Sequence, residues 1–160
     1  EVRIFTGAVL HPLSGYLLHR GLATLPLRIK RSQETAQILA KRLFDHSSVS
    51  RVFYPSLDGC DPLELLGRQM RGPGPMLSFE VAGGFESADR LMQKLQLITP
   101  AVSLGSVDTL IQHPAGLTQR VVSEETRASG GVSGGLLRLS VGLEHPEDLW
   151  DDLEQALGPN

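Results

Sequence analysis

The chain has 160 residues, 41% of them hydrophobic, and a formal net charge of −3 from 15 basic and 18 acidic side chains mixed along its length. That suffices for one core of ordinary size and is too short for two, and the mixed charge offers no basic stripe to neutralise a phosphate backbone. No apolar run approaches the ~20 residues that span a bilayer, the start at Glu1, Val2 and Arg3 lacks a leader's layout, and the one cysteine, Cys60, has no internal partner, so a cytoplasmic domain without nucleic-acid or membrane partners is expected.

In chain order, Pro12 can open a helix, and Leu17, Leu18, Leu22 and Leu25 recur at helical spacing, interrupted at Gly21 and Pro26. A longer amphipathic helix follows, with Ile29, Ala36, Leu39 and Leu43 set among basic and acidic residues as far as His46. Val49 to Pro55 reads as a strand stopped by its proline, and Pro62 to Met70 as a short helix. After the Arg71 to Pro75 loop, Met76 to Val81 alternates as a strand. Gly83 and Gly84 break it, and Ala88, Leu91, Met92 and Leu95 mark another helix. Asp108 to His113 is a strand ended by Pro114. A helical turn or two is expected over Glu124 to Ala128, a strand over Leu136 to Val141, and a well-marked helix over Pro146 to Leu157. The expected fold is α+β: a small, largely antiparallel sheet with helices covering it. Residues 1–46 would form a helical link and long helix, and residues 47–160 the α+β core of the same single domain.

Several residues invite chemical readings. Gly131 to Gly135 (GVSGG) matches the Gly-x-Ser-x-Gly elbow of serine hydrolases, but that turn needs a strand before the serine and a helix after it, and Ser133 has the reverse order. His11, His113 and His145 each precede a proline, which sets them at element boundaries, and no pair has helical metal-ligand spacing, so no metal site is expected. His19 and His46 read as helix-surface residues, and Asp151 and Asp152 as part of a solvated face. Arg138 stands apart. Period-2 alternation puts Leu137, Leu139 and Val141 on one face of its strand and Leu136, Arg138 and Ser140 on the other. A guanidinium in such an apolar setting calls for an anion, and its fork suits a carboxylate. Two partners remain open on these grounds: an internal Asp or Glu, or the carboxylate of a ligand. Ala101 to Thr118 is the second unusual segment, with Ser103, Ser106 and Thr118 around Gly105, suited either to close approach of a ligand or to a tight turn.

Ordered segments along nearly the whole chain carry a resemblance: TGAVLHP (6–12), RGLATLPLR (20–28), FYPSL (53–57), SFEVAGG (78–84), SLGSVDTLIQHPAGLT (103–118) and LLRLSVGLEHPEDLWDDLEQAL (136–157). Together they resemble the C-terminal domain of the Cys/Met-metabolism pyridoxal-phosphate enzymes, the cystathionine γ-synthase, cystathionine lyase and methionine γ-lyase family. The resemblance implies that Arg138 binds the α-carboxylate of an amino-acid substrate, that Ser103 and Leu104 lie beside it, that Thr118 is near the same pocket, and that Val102, before the Ser-Leu turn, bears on substrate preference in the manner of the methionine γ-lyase branch. Ala23, Gln119 and Gly134 depart from the family's usual Lys, His and Asp or Glu.

The same resemblance implies a fold-type I C-terminal domain in which no residue is catalytic. Pyridoxal 5'-phosphate, its lysine and its phosphate cradle would belong to an N-terminal domain, and none of Lys30, Lys41 and Lys94 has the Ser-x-x-Lys setting of the family. The complete enzyme would be a tetramer carrying out β- or γ-elimination or replacement on a sulfur amino acid, with the cofactor as electron sink. The alternative expectation is a stand-alone, non-catalytic binding or assembly module derived from that family.

Overall fold

The computed structural model describes residues 2–119 and 122–158. Three helices open the chain: α1 (Val2–Phe5), α2 (Pro12–Ala23) and α3 (Leu25–Asp45). There follow β1 (Val49–Phe53), β2 (Met76–Val81), α4 (Gly84–Lys94), β3 (Thr99–Pro100), β4 (Leu110–Gln112), α5 (Glu124–Ser129), β5 (Leu136–Ser140) and α6 (Pro146–Leu157). The five strands form one sheet in the order β1-β2-β5-β4-β3. All neighbours are antiparallel except β3 and β4, which run parallel. The expected α+β architecture is therefore present.

Helix ends follow local chemistry. Pro12 and Pro146 occupy first helical positions, where a missing N–H costs nothing. The residue before each, extended as X-Pro demands, caps the helix: His11 Nδ1 accepts from the Leu13 amide at 3.2 Å, and His145 Nδ1 from the Glu147 amide at 3.3 Å. The break between α2 and α3 falls at Thr24, and Pro26 is accommodated in the first turn of α3.

The core lies on one face of the sheet. Leu77 and Phe79 of β2 and Leu137 and Leu139 of β5 pack against Leu39 and Leu43 of α3, Ala88 and Leu91 of α4, and Leu149 and Leu153 of α6, none more than 2% exposed. Burying ten such side chains supplies the main driving force for the fold. Arg42 adds a bidentate pair across α3 and α6, its Nη1 and Nη2 donating to Glu147 at 2.8 and 2.7 Å, with its guanidinium 5.5 Å above the Trp150 ring. The hydrogen bonds from Arg42 hold the Glu147 carboxyl below the usual carboxylate range.

Three expectations are corrected. Pro62 to Met70 is not a helix but a series of tight turns. Both oxygens of Asp61 accept main-chain N–H groups, from Leu65 at 2.9 Å and Leu66 at 2.7 Å, while Glu64 and Gly67 take positive φ and the Gly67 amide turns to the Met70 carbonyl. His46 is not on the surface: it is 3% exposed, caps α3, accepts from the Ser48 amide through Nδ1 at 3.1 Å, and lies edge-on to Trp150. Asp152 is 6% exposed, and its carboxylate receives the amides of Gln96, Leu97 and Ile98 at 2.8 to 2.9 Å. Residues 149, 152, 153 and 156 are the buried stripe of α6, so the aspartate sits on the apolar side of its helix. The short elements α1 and β3 were not expected, and the strand expected over 108–113 is confined to Leu110–Gln112.

Candidate functional site

The helices cover one face of the sheet, and the side chains of chemical interest share the other. Arg138 pairs in register with Ser78 of β2 and with Gln112 of β4. Ser140, two residues on, projects to the same side, as the period-2 pattern requires. The approach to β5 explains the preceding glycines. A Cβ on Gly135 would stand 2.7 Å from the Val81 carbonyl oxygen and 3.3 Å from Gly84 Cα, so only glycine lets the strand enter beside β2 and the start of α4. Ser133 lies in this connection between α5 and β5, with its carbonyl accepting from the Leu136 amide at 3.3 Å. A serine elbow is built the other way round.

The chain after β3 leaves the sheet edge, where the Ala101 amide still bonds to the Ile111 carbonyl at 2.9 Å, and returns at Val107, whose carbonyl accepts from the Leu143 amide at 2.8 Å. Between these points it crosses the outer end of β5. Arg138 Nη2 donates to the Ser103 carbonyl at 2.8 Å, and the Gly105 amide donates to Ser140 Oγ at 2.9 Å. The far end of the crossing is fixed by Glu144, which accepts from the Thr109 amide at 2.6 Å and from its hydroxyl at 2.7 Å; Thr109 Oγ1 in turn accepts from the Gly142 amide at 2.9 Å.

Arg138 is half-buried, and no Asp or Glu among the described residues forms an ion pair with it. Glu80, opposite Leu136 in register, shares its face and does not pair with it. Arg138 Nε is shielded from solvent and has no hydrogen-bond partner among the described residues. An N–H left in that state costs about 1 to 3 kcal/mol, which an incoming acceptor would recover. The second orphan on this face is Gln112 Oε1; the same amide donates through Nε2 to Thr118 Oγ1 at 2.7 Å.

The sequence-derived residues thus fall into three relations to Arg138. Ser103 bonds to it directly; Thr118 bonds to Gln112, the register partner of Arg138 on β4; Val102 and Leu104, 60% and 59% exposed, flank Ser103 on the open turn. Gln112 and Ser140 were not singled out. Their signal was present: a polar residue within a fully buried three-residue strand, and a hydroxyl on the arginine's own strand face.

The departures noted in the sequence also find places. A Cβ on Gly134 would press on the Phe85 amide nitrogen at 3.3 Å, and the Gly134 carbonyl accepts from His113 Nε2 at 2.8 Å. The Gln119 amide bonds to the Pro114 carbonyl at 2.8 Å, and Arg127 Nη1 donates at 3.3 Å to the carbonyls of Ala115 and Gln119. Ala23 is exposed at the end of α2.

Over residues 2–158 the chain matches the family model described as Cys/Met metabolism PLP-dependent enzyme. An L-methionine gamma-lyase of Brevibacterium sandarakinum is 54% identical over 157 residues, covering 98% of this chain and 39% of that protein. The L-methionine gamma-lyase of Streptomyces avermitilis is 49% identical over 158 residues, covering 99% and 34%. Among solved structures, a cystathione gamma lyase from Micromonospora echinospora has a TM-score of 0.90 and 41% identity over 99% of this chain and 42% of its own. The cystathionine gamma synthase of Xanthomonas oryzae pv. oryzae, in complex with aminoacrylate and cysteine, has a TM-score of 0.83 and 42% identity over 91% of this chain and 38% of its own. The chain spans 34 to 39% of the length of these curated relatives.

Proposed function

The chain belongs to the Cys/Met metabolism PLP-dependent enzyme family, and from that footing we propose that residues 1–160 are the C-terminal, substrate-carboxylate-binding domain of a carbon–sulfur lyase acting on L-methionine or a related sulfur amino acid. The observation that carries this reading is Arg138: one arm of its guanidinium is held by the Ser103 carbonyl, its Nε–H is orphaned, and no acidic side chain of the described residues answers its charge. A ligand carboxylate would take Nε–H together with the second N–H of Nη2, the two donors on one edge of the guanidinium, in two parallel hydrogen bonds. Ser103 and Leu104 would line the approach, Thr118 would border it from the Gln112 side, and Val102 would meet the substrate side chain. The two L-methionine gamma-lyases that match 98 to 99% of this chain favour methionine over cystathionine.

Pyridoxal phosphate would belong to the complete enzyme. Lys30 and Lys41 are exposed on α3 and Lys94 on α4, the helices that cover the opposite face of the sheet. The residues described therefore do not fit a cofactor-bearing lysine beside Arg138, and the reading assigns cofactor attachment to a part of the protein beyond these 160 residues. Residues 1–160 would orient the amino acid, fixing the direction of its α-carbon bonds through the two-point grip on the carboxylate.

Support for a larger assembly comes from α2, which buries no residue. Leu13, Tyr16, Leu17, Leu18 and Leu22 are each more than half exposed, an apolar surface of the kind that mates with another protein surface. It favours a domain docked to the rest of its enzyme over a stand-alone module. The test is to supply the complete protein with L-methionine and with L-cystathionine and follow thiol release with a thiol-reactive dye. Release from L-methionine is expected; turnover of neither compound, nor of any other sulfur amino acid, would overturn the reading.

A further inference from the structure

We infer that Ser140 is a positioning residue for carboxylate recognition, acting through the 103–105 turn; the inference rests on the proposed reading of Arg138. Arg138 and Ser140 stand two residues apart on one face of β5 and grip the crossing turn at two points also two residues apart, the Ser103 carbonyl and the Gly105 amide. Strand and turn are thus joined at this point by side chains in place of a main-chain ladder. The turn itself has no regular strand pairing between Ala101 and Val107, its residues 102–107 are exposed, and Gly105 takes φ +76°, a left-handed conformation that other residues adopt only with strain.

The strand position of Ser140 argues in the same direction. It is 1% exposed, paired in register with Leu110 on one side and Met76 on the other. A buried strand site between two apolar neighbours favours valine or isoleucine, and a serine hydroxyl there requires a hydrogen-bonding reason. The Gly105 amide supplies it. With the hydroxyl removed, that amide loses its acceptor and the turn is free to lift. The Ser103 carbonyl lifts with it, and the Arg138 guanidinium tied to that carbonyl turns out of the orientation that presents its Nε–Nη2 edge to a carboxylate. Ser140 touches no substrate in this scheme; it sets where the arginine points.

The experiment uses the complete protein with its cofactor. Ser140→Ala is compared with the parent for KM and kcat on L-methionine, and for inhibition by the carboxylate-free amine of the same side chain. The expected result is a KM raised roughly three- to tenfold, the effect of one neutral hydrogen bond, with kcat within about twofold and the amine's inhibition constant unchanged. Ser140→Thr, which keeps the hydroxyl, should return KM toward the parent value. Equal weakening of amino acid and amine, or no weakening of either, overturns the inference. Should Ser140→Ala fail to fold, Ser140→Cys, of similar size but a poor acceptor, carries the same comparison. Arg138→Ala run alongside separates the two claims. An unchanged KM there overturns the reading of the site itself, whereas a raised KM there with an unaffected Ser140→Ala protein overturns the Ser140 inference alone.

Discussion

Arg138 and Ser103, 35 residues apart in sequence, are joined by a 2.8 Å hydrogen bond from Nη2 to the main-chain carbonyl, and that bond leaves the rest of the guanidinium fork unanswered by any acid of the described chain. The turn holds one arm of the arginine, and in the proposed function the charge it holds meets the ligand carboxylate.

Replacement of Arg138 should therefore act on substrate affinity. In the complete protein, Arg138→Ala is expected to raise KM for L-methionine by well over tenfold, since a charge-assisted hydrogen bond is worth about 1.5 to 3 kcal/mol and two are at stake. Arg138→Lys should recover little of it, because the tetrahedral ammonium has no planar fork to match a carboxylate in two parallel bonds while holding the Ser103 carbonyl. Steady-state kinetics of the three proteins decides the point.

Asp152 should govern the acid limb of stability. Burial acts to raise its carboxyl, but the amides of Ile98, Gln96 and Leu97, with the Gln155 side chain, outweigh burial and hold it below the ordinary range. A folded-state value below the unfolded one, about 3.9, means that its contribution is complete above that pH and is lost as pH falls through the folded value. Asp152→Asn is expected to cost about 2 to 3 kcal/mol near neutral pH and to flatten the fall in stability below about pH 4, as read by urea unfolding at a series of pH values.

Gly142 should tolerate no side chain. A Cβ there would collide with the Val107 carbonyl oxygen and stand 2.6 Å from both the Asp108 carbonyl carbon and Glu144 Oε2. Gly142→Ala would thus push apart the Glu144–Thr109 bracket at the far end of the crossing turn. A loss of about 1 to 3 kcal/mol is expected, together with a raised KM for the amino acid, measured by thermal unfolding and kinetics on the same preparation.

The apolar face of α2 predicts a contrast between contexts. In residues 1–160 alone, Leu17→Glu with Leu18→Glu should change stability by less than about 0.5 kcal/mol per site, because neither leucine is buried. In the complete protein the same pair should lower the melting temperature by several degrees, as expected when two buried leucines acquire charges. Equal behaviour in both contexts would remove the case for a docked face.

The parts of the fold set by local chemistry were legible in the sequence. Pro12 and Pro146 mark helix starts, the alternation in Met76–Val81 and Leu136–Ser140 gives the two central strands, and the arginine of the second of these is what led to the candidate site. Two of the misreadings come from partners distant in sequence, and the third from local turn chemistry. Asp152 is satisfied by amides 54 to 56 residues away, and His46 is covered by Trp150 of another helix. Over Pro62–Met70, the Asp61 carboxylate and the positive φ of Glu64 and Gly67 prevail over an apolar spacing that suits a helix. Gln112 and Ser140 become visible as candidate site residues only when the β4–β5 register and the crossing turn are known, since neither has a local motif of its own.

The most direct measurement is a crystal structure of the complete protein with an unreactive sulfur amino-acid analogue bound. The account predicts carboxylate oxygens within hydrogen-bonding distance of Arg138 Nε and Nη2, the donors of one guanidinium edge, with the other N–H of Nη2 still on the Ser103 carbonyl. A carboxylate seated elsewhere, or Arg138 Nε bonded to an Asp or Glu of the protein, would contradict it.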